Sequence, residues 1–147
     1  AAIRIILNGG ASVASFNMDE KDIVAFMKQD FISLDSDGSG GHPRLYGAFA
    51  KFFHEYVGQK HVMTMPAAVR RSSLASAQML GIKERGQIAP NWFADIAVFD
   101  PATFADQSTY EQPTLLAVGM KYELVNGTIA IDKGSYTGVT AGRVLRR

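Results

Sequence analysis

The segment Asp35-Ser36-Asp37-Gly38-Ser39-Gly40-Gly41-His42-Pro43-Arg44 gathers the side chains of this sequence best suited to chemistry. A carboxylate at the end of a strand can bind a metal ion through one oxygen. It can also take a proton from metal-bound water, whose pKa falls to about 7. Asp37 is the candidate for both roles, set against the plainer one of a turn aspartate bonded to its own backbone. His42 offers a ligand or an acid, although a single loop histidine is more often neither. Arg44 can clamp a substrate carboxylate through two parallel N–H groups, or stand as a solvated or ion-paired cation. Asp35, Asp37, Ser39 and Gly40 also match the opening of a calcium-binding EF-hand loop. That match stops at the twelfth position, where Tyr46 stands in place of a bidentate glutamate and Pro43 interrupts the loop.

A loop of this kind belongs at the carboxyl end of a parallel strand, where α/β folds place their sites. Ser12 to Phe16 reads as a short buried strand, and Asn17 with Glu20 has the spacing of a capping box opening a helix to about Gln29. Ile23, Phe26 and Met27 form its apolar stripe. Phe31 to Leu34 reads as a second strand, which gives a β-α-β order and parallel pairing. Tyr46, Phe49, Ala50, Phe53 and Val57 mark an amphipathic helix, and a further helix is expected from Thr64 to Leu80, closed by Gly81. Beyond Gly81 the pattern turns to strands. Ala94 to Phe99 is apolar and ends at Asp100-Pro101, while Lys121 to Val125 and Thr128 to Ile131 flank Asn126-Gly127, a strong hairpin signal. The organisation predicted is α/β, with one unit over 1–81 and a mostly β unit over 82–147.

Composition bounds what such a chain can do. Its 147 residues are 47% hydrophobic and 20% charged, an ordinary globular balance. Fifteen Lys+Arg against fourteen Asp+Glu leave no field strong enough to hold phosphate backbones or anionic lipid, so neither nucleic acid nor a membrane is expected as a partner. The absence of cysteine rules out disulfides and thiolate ligands within the chain. His54 and His61 are separated by an expected helix end and form no ligand pair, and Arg70, Arg71 and the terminal Arg143, Arg146 and Arg147 are expected on solvated faces. Trp92 and Phe93 are expected to pack beneath the hairpin. The chain opens at Ala1 with neither methionine nor a signal-peptide pattern, from which an upstream portion is expected.

Ser36-Asp37-Gly38 followed by His42-Pro43-Arg44-Leu45-Tyr46-Gly47 resembles the signature of the N-acyl-D-amino-acid deacylases, or D-aminoacylases, of the metal-dependent amidohydrolase superfamily. Gly86-Gln-Ile-Ala-Pro90 with Ala94-Asp95-Ile-Ala-Val-Phe-Asp100, and Val125-Asn126-Gly127, are similar to later stretches of that superfamily. With Ala14-Ser-Phe-Asn17-Met18, the likeness covers essentially the whole chain. Asn91 departs from it, standing where glycine usually follows the proline. The resemblance implies a C-terminal portion: the last βα units of a TIM-like barrel, ending at the catalytic aspartate, plus the C-terminal strands of a small β-sandwich domain. It implies zinc as cofactor, with its main ligands in the N-terminal portion of the same protein, and N-acyl-D-amino acids as substrates. Asp37 would then be metal ligand and general base, and Arg44, with His42 beside it, would bind the substrate. This fragment alone would be inactive. The alternatives are an amidohydrolase of another substrate class, such as a cyclic amide hydrolase or deaminase, and a non-catalytic binding or structural module. The His-Pro-Arg loop argues against the former and the open edges of two short parallel strands against the latter.

Overall fold

The computed structural model describes residues 2–10, 16–38 and 40–145, and places helices before a single antiparallel sheet. The expected strand at Ser12 to Phe16 falls mainly outside the described residues, and Arg146 and Arg147 lie outside them.

Helix α1 spans Ala2–Leu7 and α2 spans Glu20–Met27. The expected capping box at α2 is replaced by Asp19, whose extended backbone turns its carboxylate onto the Lys21 N–H at 2.8 Å. A carboxylate suits the positive end of a helix, and Glu20 is thereby released to pair with Lys60 and to accept from the Tyr56 hydroxyl at 3.3 Å. Ile23, Val24 and Met27 pack against the core, whereas Phe26 is 60% exposed.

Phe31 to Leu34 is not a strand. The segment runs without a β ladder from α2 to the site loop, anchored where Ser33 and Ser76 share a hydroxyl hydrogen bond of 2.5 Å. No parallel pair exists among the described residues, so the expected β-α-β unit is absent from them. A strand is defined by a paired neighbour, and no described strand pairs with this segment.

Helix α3, Arg44–Lys51, continues without a break into a π-wound stretch, Phe52–Gln59. Helix α4, Met65–Arg70, starts at Thr64, whose hydroxyl accepts from Ala67 N–H at 3.4 Å, and passes through a second π-wound stretch, Arg71–Ala75, into α5, Ser76–Met79. The two expected helices therefore exist, each with a widened turn. Within the first, Ala50, Phe53 and Val57 are buried, while Tyr46 and Phe49 stay about 40% exposed.

The sheet is a meander in the order β1-β2-β3-β4: Ile96–Phe99, Met120–Val125, Thr128–Asp132 and Ser135–Tyr136. Asn126 and Gly127 join β2 to β3 with φ of 50° and 81°, the pair of left-handed residues that a type I′ hairpin requires. Lys133 and Gly134 repeat the device between β3 and β4, a hairpin the sequence reading did not include. Asn91 has φ 65°, a conformation asparagine tolerates nearly as well as the glycine it replaces.

Helices and sheet share one core. Ala50, Phe52, Phe53, Tyr56, Val57 and Ala68 meet Phe104, with Phe53, Phe99 and Phe104 stacked at ring separations of 4.7 to 6.0 Å. The connection between β1 and β2, residues 100–119, is pinched shut by the Ala105 and Val118 bridge, with N–H to O distances of 3.2 and 2.9 Å. Its tip, residues 106–117, lies against the start of α3, which brings the sheet's longest loop to the candidate site.

Candidate functional site

Pro43 opens α3 with no N–H to satisfy, so the first orphan donor of the helix is the Arg44 N–H. It donates to His42 Nδ1 at 3.1 Å. That bond makes His42 a cap for the helix carrying Arg44 and leaves its ring proton on Nε2. Nε2 in turn faces the Tyr110 hydroxyl at 3.2 Å, with the two rings edge to face at 5.2 Å.

Arg44 folds back over the loop. Its Nη2 lies 2.5 Å from Asp37 Oδ2, and its Nε donates to the Asp37 carbonyl at 3.1 Å. Asp37 adopts φ 43°, the left-handed region that Asp and Asn enter more readily than other non-glycine residues. The pair is open to solvent, with the Asp37 side chain 74% exposed and that of Arg44 39%. An exposed pair of this kind is worth about 0.2–1 kcal/mol, so either member can exchange it for a ligand at small cost. Asp35 turns to its own loop, accepting from Ser36 N–H at 2.7 Å.

The three candidates of the sequence are thus brought together, Asp37 through Arg44 and Arg44 through His42. Asp37 offers one carboxylate, a fit for a single ligand position. No group of three or more His, Asp or Glu able to hold a metal exists among the described residues, and His54 is turned toward Gln59 instead. A zinc ion could draw one ligand from this loop and would need the rest from elsewhere.

The loop tip from residues 106–117 supplies what sequence reasoning missed. Ser108 Oγ donates to the Pro43 carbonyl at 2.8 Å. Gly47 is buried where a Cβ would collide with Ser108 Oγ and press Asp106 Cβ at 3.2 Å, which accounts for glycine at that position of the motif. Tyr110 also meets the Phe16 ring at 5.1 Å. These partners lie 59 or more residues downstream, and no local pattern announces them.

Two arginines expected on solvated faces or left unremarked prove to be structural ties. Arg71, 13% exposed at its side chain, donates to the Met27 carbonyl and faces Asp30 at 3.7 Å, closing α2 onto the second π-wound stretch. Arg85 is buried, bonded to Asp95 Oδ2 and Asn126 Oδ1, and lies over the Phe93 ring at 4.2 Å. Arg143 covers Phe93 as well, at 4.3 Å, so it is a packing residue too. Burial pushes the Asp95 carboxyl upward, but the Asn126 N–H at 2.8 Å and the Arg85 guanidinium outweigh it and hold the pKa below the usual range.

No family model matches the chain. It is 36% identical over 141 residues to the D-aminoacylase of Alcaligenes xylosoxydans xylosoxydans, covering 93% of this chain and 29% of that protein. A crystal structure of D-aminoacylase, described as defining a novel subset of amidohydrolases, superposes with a TM-score of 0.84 at 38% identity, over 88% of this chain and 28% of that one. The N-acyl-D-glutamate deacylase of Bordetella bronchiseptica, complexed with zinc and a phosphonate mimic of the tetrahedral intermediate, superposes at 0.76 and 38% identity, over 78% of this chain and 25% of that one. The chain therefore spans less than a third of the length of the relatives it matches.

Proposed function

We propose, for a chain homologous to the N-acyl-D-amino-acid deacylases of the amidohydrolase superfamily, that it is the C-terminal portion of a zinc-dependent enzyme hydrolysing the amide of N-acyl-D-amino acids. Residues 1–81 would complete a TIM-like barrel and residues 82–147 would supply the C-terminal strands of a β-sandwich domain. The observation that carries this reading is the apposition of Asp37 and Arg44, 2.5 Å apart, in a loop whose sequence follows the family signature.

Zinc, held mainly by the remainder of the polypeptide with Asp37 as one ligand, would polarise the scissile carbonyl and bring the pKa of its water to about 7. Asp37 takes a proton from the attacking water as oxygen bonds to the acyl carbon. It then delivers that proton to the nitrogen as the carbon–nitrogen bond breaks, leaving a carboxylate and a free D-amino acid. Arg44, turned from Asp37, binds the α-carboxylate of the substrate through its planar fork. His42 acts on the substrate through the Arg44 backbone it caps.

The test is hydrolysis by the full-length protein of N-acetyl-D-leucine and N-acetyl-D-glutamate, beside their L-enantiomers and a cyclic amide such as dihydrouracil. Turnover restricted to the D-enantiomers and lost on zinc removal supports the reading. Hydrolysis of the cyclic amide alone would move the enzyme to another substrate class, and no turnover of any amide would overturn the reading.

A further inference from the structure

We infer that Tyr110 is a positioning residue for Arg44, acting through His42, and that the 106–117 loop thereby sets the alignment of the substrate carboxylate. The inference rests on the reading of Arg44 as the carboxylate-binding group. Its geometry does not. Because the Arg44 N–H is always a donor, His42 Nδ1 must be the acceptor in the 3.1 Å bond, and the neutral ring carries its proton on Nε2. Tyr110 is then the acceptor of that proton at 3.2 Å, and its ring packs edge-on against the imidazole at 5.2 Å.

The imidazole is held from both sides, by the residue it caps and by the loop. Free rotation about its side chain would break the cap and let the first turn of α3 fray, moving the backbone from which the Arg44 guanidinium reaches Asp37. The loop itself is fixed at two further points on the same turn, through Ser108 Oγ on the Pro43 carbonyl at 2.8 Å and through the close approach to Gly47. The Tyr110 ring also meets the Phe16 ring edge to face at 5.1 Å, so it packs against both Phe16 and His42. A hydroxyl on that ring is needed only for the contact to His42.

The experiment compares wild type, Tyr110→Phe, His42→Gln and the double variant in the full-length protein, with two readouts. The first is amide hydrogen exchange over residues 42–47, which needs no activity. Tyr110→Phe keeps the ring packing, so exchange should rise there by about 3- to 10-fold while the 121–131 hairpin is unchanged. The second is kinetic. KM for N-acetyl-D-leucine should rise by about 3- to 10-fold with kcat within about twofold, and Tyr110→Phe should add nothing further in the His42→Gln background.

Unchanged exchange over 42–47 would overturn the inference whatever the activity. Faster exchange with unaltered KM, or additive effects in the double variant, would reduce Tyr110 to a packing residue and also overturn it. Faster exchange in a protein that cleaves no N-acyl-D-amino acid would leave the Tyr110 to His42 to Arg44 linkage standing and remove the proposed function instead.

Discussion

Replacing Arg44 by alanine would remove the proposed carboxylate clamp and, at the same time, the partner of Asp37, so its effects should separate by kinetic parameter. Loss of a charge-assisted contact to the substrate predicts a fall in kcat/KM of about 10- to 100-fold, expressed mainly in KM. Arg44→Lys should rescue little of it, since an ammonium cannot reproduce two parallel bonds. Steady-state rates on N-acetyl-D-leucine check both, and an unaltered kcat/KM in Arg44→Ala would leave that residue a purely structural partner of Asp37. Asp37→Asn is the cleaner substitution at its own site. Asparagine tolerates φ 43° and can still accept from Arg44, so the charge and the proposed proton transfer would be lost without backbone strain. At this scale the sequence was informative about residue types. Asp37 and His42 in the loop and Arg44 at the start of α3 stand together as their order suggested. What it lacked was partners: the contact of His42 with Tyr110 bridges sixty-eight positions, and the burial of Arg71 and Arg85 depends on acceptors in other elements. An arginine looks alike in sequence whether water or a carbonyl surrounds it.

Elements were legible where the signal is local. Asn126-Gly127 needed only its own left-handed backbone to declare a hairpin, and the run after Thr64 needed only its apolar spacing to declare a helix. Phe31 to Leu34 failed as a strand because strand formation depends on a neighbouring edge, which four apolar residues do not encode. The hairpin is further held by Asp95, through its bond to the Asn126 N–H and its pairing with Arg85. Since the folded pKa of Asp95 is depressed, its stabilising contribution is present above the unfolded value of about 3.9 and is lost as pH falls through the folded value. Asp95→Asn should therefore lower the thermal midpoint at pH 7, with the two proteins converging once pH has fallen below the depressed folded value of that carboxyl. Parallel midpoint curves across that range would mean that the carboxylate charge is not what matters. At the start of α3, Gly47→Ala should cost about 1–3 kcal/mol through overpacking against Ser108 and Asp106, read by chemical denaturation. A neutral result would show that the 106–117 loop yields easily.

Across the whole molecule the helices and the meander share the core around Phe53, Phe99 and Phe104, yet much apolar surface remains in solvent. Ile3 is 75% exposed, Phe31 72% and Ile88 83%, a distribution typical of surfaces that other protein covers. The proposed remainder of the barrel and sandwich would provide that cover. Expressed alone, the chain should self-associate and bind a hydrophobic dye, and co-expression with the N-terminal portion should make it monodisperse by light scattering. A stable, dye-free monomer would favour an independent module. Among the described residues no helix is long and apolar enough to cross a membrane. The central claim is that Asp37 moves the proton in amide hydrolysis, and the most direct measurement is the steady-state rate of the zinc-loaded full-length protein and its Asp37→Asn variant on N-acetyl-D-leucine, with circular dichroism of both. The account predicts a fall in kcat of at least about a hundredfold with the spectrum unchanged. A near-normal kcat in a folded variant would contradict it.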